Sequence, residues 1–159
     1  MSKKKAALPD PTIARHKRAS HEYHLETRYE AGLVLFGWEL KSIRAGKAQL
    51  TDSYVLVRDG EAFLLGANIT PLDAASTHVI AEPQRTRKLL LHAKELAELY
   101  METQQKGYTC VALRLYWKGK HVKCEIALAK GKQSHDKREA TKDKDWARQK
   151  ERLMKSHNR

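Results

Sequence analysis

Apolar and polar residues alternate along the middle of this chain, and the alternation is cleanest over 108–129. Val111, Leu113, Leu115 and Trp117, then Val122, Cys124, Ile126 and Leu128, flank Lys118-Gly119-Lys120. That pattern predicts two antiparallel strands, 108–117 and 121–129, joined by a tight turn. A second hairpin is predicted from 53–58 and 62–67 around Asp59-Gly60, a dipeptide suited to two-residue turns. An earlier strand is expected over 21–30. There Tyr23, Leu25, Thr27 and Tyr29 share one face, and His24, Glu26, Arg28 and Glu30 share the other. Gly32 is expected to break that strand before the apolar run 33–36. Gly37 and Gly46 frame a short helix with Leu40, Ile43 and Trp38 inward, although a strand fits so short a stretch as well. Arg85-Thr86-Arg87-Lys88 leads into the clearest helical pattern, in which Leu91, Leu96, Leu99, Tyr100 and Thr103 form the buried stripe and Gly107 ends the helix. These elements predict a mainly β fold: a small antiparallel sheet of five to six strands, closed or partly open as a barrel, with two to three short peripheral helices.

The alternation stops at about residue 130. The remainder is rich in Lys, Arg, Glu, Gln and Ala, with no proline, which favours helix. Trp146, Leu153 and Met154 would share one face, too little apolar surface to hold a helix on the body. The segment 131–159 is therefore expected to be a tail, disordered when free and helical when bound. As a helix, 136–159 would reach roughly 36 Å. Residues 1–14, a lysine cluster followed by two prolines, are expected to be a disordered basic arm, leaving 15–130 as the one folded domain.

Charge sharpens this division. The chain has 159 residues and a net charge of +12. Residues 1–18 contribute +5 and residues 130–159 contribute +6, so the stretch 19–129 is nearly neutral at +1. A neutral body with cationic arms suits a polyanionic partner, most simply nucleic acid; plain solubility is the alternative. No apolar run approaches the ~20 residues of a membrane span, and the N-terminus lacks a signal-peptide apolar region. Cys110 and Cys124 show no metal-ligand spacing and fall out of register in the predicted hairpin, with Cys110 facing about residue 128 and Cys124 about residue 114. They read as apolar strand residues in a reducing compartment.

Catalytic patterns are weak. Among the eight histidines, His16, His21, His24, His121 and His135 could serve a metal-free ribonuclease, but no spacing selects a pair. His21 and His24 would point to opposite faces of a strand, and phosphate-loop, serine-hydrolase and zinc-protease motifs are absent. An enzyme is not expected. RNA binding fits better. His16-Lys17-Arg18 and His21-Glu22-Tyr23 combine cations with stackable rings, and Arg44-Ala45-Gly46-Lys47 places two cations on a tight turn. Glu30 fits such a face only by accepting from a base or orienting an arginine; solvation is the alternative.

Several blocks of residues are distinctive as strings: Lys17-Arg18-Ala19 through His21-Glu22-Tyr23; Tyr29-Glu30-Ala31-Gly32-Leu33-Val34-Leu35; Glu39-Leu40-Lys41-Ser42-Ile43-Arg44-Ala45-Gly46-Lys47-Ala48; Asp52-Ser53-Tyr54; Arg85-Thr86-Arg87-Lys88-Leu89-Leu90-Leu91; Ala129-Lys130-Gly131-Lys132; and His135-Asp136-Lys137-Arg138. Together, and in this order over about 16–159, they resemble the SsrA-binding protein family, also called small protein B. The resemblance implies an oligonucleotide-binding-like (OB-like) β-barrel with peripheral helices and a flexible tail. It implies a non-enzymatic cytoplasmic factor of trans-translation that binds the tRNA-like domain of transfer-messenger RNA. Through the charged RNA, it would work with elongation factor Tu and GTP on stalled ribosomes. The chain is expected to be a monomer without cofactor or metal. By position, Lys17, Arg18, His21, Tyr23, Glu30, Arg44, Lys47 and Leu90 would face RNA. Gly131, His135, Asp136, Lys137 and Arg138 would engage the decoding centre, and Trp146, Leu153 and Met154 would serve the tail in the empty mRNA channel. His16 joins the RNA set as a departure, standing where the family is expected to have asparagine; it can still donate to phosphate or stack, but loses the amide's paired donor and acceptor. A generic single-strand binder and a histidine ribonuclease are the competing readings.

Overall fold

The computed structural model describes residues 10–72, 81–131, 146–149 and 152. Its elements run β1 (Thr12–Arg15), α1 (Ala19–Glu22), β2 (Tyr23–Leu33), α2 (Gly37–Arg44), β3 (Ala48–Gln49), β4 (Tyr54–Arg58), β5 (Glu61–Leu65), β6 (Asn68–Ile69), β7 (Arg87–Leu90), α3 (Ala93–Gln105), β8 (Thr109–Lys118) and β9 (His121–Gly131). Seven strands form one antiparallel sheet in the order β1-β8-β4-β5-β7-β2-β9, and β8 also pairs with β9. The second pairing closes a ring of six strands, with β1 added outside on β8. The mainly β barrel expected from the alternation is therefore present. The extra strands are short pieces, such as β3 paired with β6, whose two residues carry no readable period.

β8 supports this closure because it is long enough for three partners. β9 runs along one edge, while β4 meets the other at Cys110 and β1 meets it at Arg114–Tyr116. Inside the ring lie Ala31, Leu50, Leu64, Leu115, Cys124 and Ile126, all inaccessible to solvent. α3 buries Leu99 completely and lays Leu96 against the same core.

Two β-bulges redirect the alternation. In β8 the pairing with β9 shifts between Ala112 and Arg114. Cys110, Ala112 and Leu115 thus face the ring interior, whereas Val111 and Leu113 face outward with Ala127, Ala129 and Ala19 in a second cluster. In β2 a shift between Leu25 and Arg28 does the same, turning Tyr29 inward and Tyr23 and Leu25 onto the outer cluster. A bulge puts two residues opposite one, and side chains beyond it swap faces. The single inward sets read from the sequence are therefore each split in two. Cys110 lies opposite Leu128 as expected, but Cys124 lies opposite Leu115, one residue from the expected partner, because of the same bulge. Both thiols are buried and free.

Other boundaries differ for identifiable reasons. The expected disordered arm over 1–14 overlaps β1, whose start is tied down by bonds from the Thr12 N–H to Asp10 Oδ1 at 3.0 Å and from the Trp117 N–H to the Pro11 carbonyl at 2.9 Å; residues 1–9 lie outside the described residues. The expected strand 21–30 begins later, at Tyr23, after the short helix α1. It also continues through Gly32, where a Cβ would sit 3.2 Å from the Leu90 Cβ, so glycine permits β7 to approach. Between Arg85 and the helix stands a strand that the sequence reading did not include: β7 pairs with β5 and with β2. The helix starts at Ala93, Leu91 precedes it, and Tyr100 is 49% exposed rather than part of the buried stripe. α2 settles the ambiguity over 37–46 as a helix, with Ile43 buried and Trp38 and Leu40 packed on the core.

Candidate nucleic-acid interface

The turn that carries the first basic cluster is fixed by the bulge in β8. A bulge leaves backbone groups without ladder partners, and His16 satisfies two of them. Its N–H donates to the Leu113 carbonyl at 2.8 Å, and its ring Nδ1 donates to the Ala112 carbonyl at 3.2 Å. Ala19 is then buried in the outer cluster, which leaves Lys17 and Arg18 exposed on the turn. Arg18 Nε lies 3.7 Å from Glu22 Oε1 in a largely exposed pair, of the kind that contributes little. Tyr23 opens β2 directly opposite Gly131 at the end of β9, so Lys17, Arg18, His21 and Tyr23 lie on the segment leading to the root of the tail.

Glu30 is exposed on β2 but is not free of protein partners. It accepts hydrogen bonds from the Tyr116 hydroxyl and from Lys118 Nζ at 2.9 Å. These bonds, Tyr116 first, hold its carboxyl below the usual value of 4.5. Burial, followed by the bond to Glu30, pushes the Tyr116 phenol up. Arg114 stacks over the Tyr116 ring at 4.3 Å and approaches Glu125 at 3.7 Å; Arg28 meets the same carboxylate at 3.3 Å. Glu30 thus anchors a polar network across the outer face of β2, β9 and β8. Beside it, Glu30, Gly32, Leu90, Leu91, His92, Glu95 and Lys123 line an open cleft of about 370 Å³. Leu90 stands 53% exposed there. Lys123, missed by sequence reasoning, supplies that cleft with a cation; as an inward-flanked strand residue it gave no signal.

Arg44 and Lys47 lie elsewhere, at the C-terminal end of α2. Arg44 stacks over the Trp117 ring at 5.9 Å. Lys47 is exposed, and its backbone is bound by Ser42 and Thr70, each at 2.9 Å. The predicted RNA set therefore occupies three places: the turn before β2, the Glu30–Leu90 cleft and the end of α2. Of the tail residues, His135, Asp136, Lys137, Arg138, Leu153 and Met154 lie outside the described residues. Trp146 lies within a helical stretch over 146–149 and is 65% exposed.

A buried ionic cluster was also missed. Glu39 and Arg87 are both inaccessible, with Arg87 Nε donating to Glu39 Oε2 and Arg85 Nη2 donating to Oε1, each at 2.5 Å. The Phe36 N–H completes the carboxylate at 2.7 Å. Arg87 spends its other donors on the carbonyls of Ala67, Arg85 and Pro83. Burial alone would raise the Glu39 pKa, but the hydrogen bonds outweigh it and hold the carboxyl below 4.5. The available signal was the i, i+2 pair Arg85/Arg87, which shares a face only if the segment is a strand.

Among the described histidines, His16 and His121 stand far apart; His135 lies outside the described residues. His16 is bonded beside Ala112 and His121 lies opposite Lys118, six strand residues further on, roughly 20 Å. Among the described residues no group of three or more His, Cys, Asp or Glu could hold a metal ion. No described helix is long and apolar enough to cross a membrane.

A six-stranded antiparallel ring whose outer surface combines exposed cations with aromatic rings has the build of a small β-barrel RNA-binding module. The model of the SmpB protein family matches residues 13–156, and the chain belongs to that family. It is 59% identical over 157 residues to the SsrA-binding protein of Chromohalobacter salexigens, covering 99% of this chain and 100% of that one. To the SsrA-binding protein of Pseudomonas aeruginosa it is 63% identical over 146 residues, 92% of each chain. A solved structure described as "tmRNA-SmpB: a journey to the center of the bacterial ribosome" superposes with a TM-score of 0.63 at 40% identity, over 82% of this chain and 94% of that one.

Proposed function

We propose that this protein binds the tRNA-like domain of transfer-messenger RNA and delivers it to stalled ribosomes for trans-translation. The observation that carries the reading is the high identity over nearly the full length to proteins named for binding SsrA, supported by the likeness to an SmpB chain described with tmRNA and the ribosome. The barrel over 15–130 grips the folded RNA through Lys17, Arg18, His21, Tyr23, Leu90 and Arg44, with Lys47 beside them. Glu30 holds the strands on which these residues stand, and His16 holds their turn. The tail over 131–159 probes the decoding centre with Gly131, His135, Asp136, Lys137 and Arg138. It then occupies the vacant mRNA channel with Trp146, Leu153 and Met154. A channel holding mRNA excludes it by volume and charge, so selectivity for stalled ribosomes needs no sequence readout. Elongation factor Tu with GTP joins through the charged RNA. The role is positional rather than enzymatic, and its place is the cytoplasm.

The test separates the two parts of the full chain. Replacing Lys137 and Arg138 together by Glu should leave affinity for the tRNA-like domain within about twofold and abolish peptide tagging in a reconstituted translation system. If tagging survives, the tail does not do this work; if affinity collapses, the division between body and tail is wrong.

A further inference from the structure

Ion pairing sorts the cations of the nearly neutral body. Arg28 and Arg114 meet Glu125, Lys118 meets Glu30 and Lys88 meets Glu61. Among the described residues of this body, Lys41, Arg44, Lys47, Lys94, Lys120 and Lys123 show no carboxylate ion pair. Three of these six lie where α2 ends, Lys41 and Arg44 in its last turn and Lys47 just beyond. Lys120 lies on the β8–β9 turn, and Arg44, Trp117, Gly119 and Lys120 line one open hollow of about 510 Å³. Trp117 is fixed by its strand: its backbone bonds Pro11 and part of its ring packs on the core, while the rest forms a wall of the hollow. Gly119, on the turn, leaves one side without a side chain.

Unneutralised cations beside a rigid indole make a site for an anion attached to a flat ring. A phosphodiester satisfies the charges and a base satisfies the indole, whose stacking tolerates any base. The other open surface differs. On the outward side of β4 and β5, Tyr54 and Leu56 are exposed, but Lys88 is paired with Glu61 and Arg58 lies beside Asp59, so no unpaired cation shares that surface with a rigid ring.

We infer that the hollow at the β8–β9 turn takes one unpaired nucleotide of the bound RNA, its base against Trp117 and its phosphate between Arg44 and Lys120. This rests on the RNA-binding reading above and adds two residues to it, Trp117 and Lys120.

The experiment uses the full chain with Trp38 and Trp146 replaced by Phe, so that Trp117 alone reports, and the tRNA-like domain of transfer-messenger RNA as the probe. Saturation with RNA should quench Trp117 emission. Trp117→Ala should weaken binding roughly tenfold and Trp117→Phe by less than threefold. Lys120→Gln, a change at an exposed side chain, should weaken binding a few-fold and make the log–log salt slope shallower by about 0.7–0.9. Absence of quenching, or a Lys120→Gln variant with unchanged affinity and slope while the parent still binds the RNA, overturns the inference and leaves the RNA-binding reading standing. If the parent fails to bind the RNA at all, both fall. Quenching by an oligoglutamate peptide but not by RNA would reassign the hollow to an acidic protein partner and overturn the inference as well.

Discussion

At the scale of single residues, a consequential side chain in the body is one that no solvent reaches. Glu39 neutralises Arg87 where neither reaches water. A buried pair adds little net stability when intact, yet breaking it by removing one partner costs about 3–5 kcal/mol. Glu39→Gln should therefore lower stability at neutral pH by that order, read from urea unfolding. The pH dependence follows from the direction of the shift. A carboxyl held below its ordinary 4.5 contributes stability that is present above about pH 4.5 and is lost as pH falls through its folded value. The parent should lose stability progressively on that acid limb, and Glu39→Gln should flatten it. A variant with the parent's acid slope would show that Glu39 is not the group responsible. His16 offers a milder test. Its ring donates to the Ala112 carbonyl, so His16→Ala should cost about 1 kcal/mol, whereas His16→Asn, which keeps a donor, should cost less. Equal losses would place the effect in the turn's backbone. None of these bonds is visible in a one-dimensional string, because Glu39 and Arg87 are separated by 48 residues and His16 meets a backbone atom.

At the scale of elements, tight turns carry the ring closure. Gly66, after β5, adopts φ +78, and a Cβ there would lie 2.6 Å from the Asp52 carbonyl oxygen. Both the backbone conformation and the contact oppose a side chain, so Gly66→Ala should destabilise by roughly 1–3 kcal/mol. A thermal melt within about 1 °C of the parent would show that the loop simply shifts. Leu99→Ala, which empties a fully buried site on α3, should cost about 2–5 kcal/mol. The hairpins around Asp59-Gly60 and Gly119 and the helix ended by Gly107 were legible, because each rests on local turn chemistry or a sustained period; the stretch Gly37–Arg44 was too short to decide between helix and strand. The bulges at 25–28 and 112–114 were not. They arise where β2 and β8 must bend to close with β9, and a bulge is set by the partner strand rather than by the residues within it. The strand Arg87–Leu90 was missed for the same reason, since four residues show no readable period and become a strand only when β5 and β2 are available on either side.

For the whole molecule, the charge layout was legible from the start and the placement of the RNA-facing set was only partly so. Sequence placed positive charge at the ends, but it could not show that carboxylates silence most cations of the body and leave a few unpaired. That distinction controls how binding responds to salt. Each phosphate neutralised contributes about −0.7 to −0.9 to the slope of log affinity against log salt. If the body alone grips the RNA, through roughly five cations drawn from Lys17, Arg44, Lys47, Lys120 and Lys123, the slope for the tRNA-like domain should be about −4. The tail residues 131–159 carry ten Lys and Arg. Were they on the same RNA, the slope would be at least twice as steep. Fluorescence anisotropy between about 50 and 200 mM potassium chloride reads this directly. Exchanging the Lys and Arg residues of 137–155 for Gln in the full chain should leave that slope unchanged on isolated RNA. On stalled ribosomes the same exchange should weaken retention sharply, because there the tail meets a phosphate-lined channel. A slope that becomes shallower on isolated RNA would mean that the tail lies on the RNA before any ribosome is present, and that body and tail are not independent binding elements.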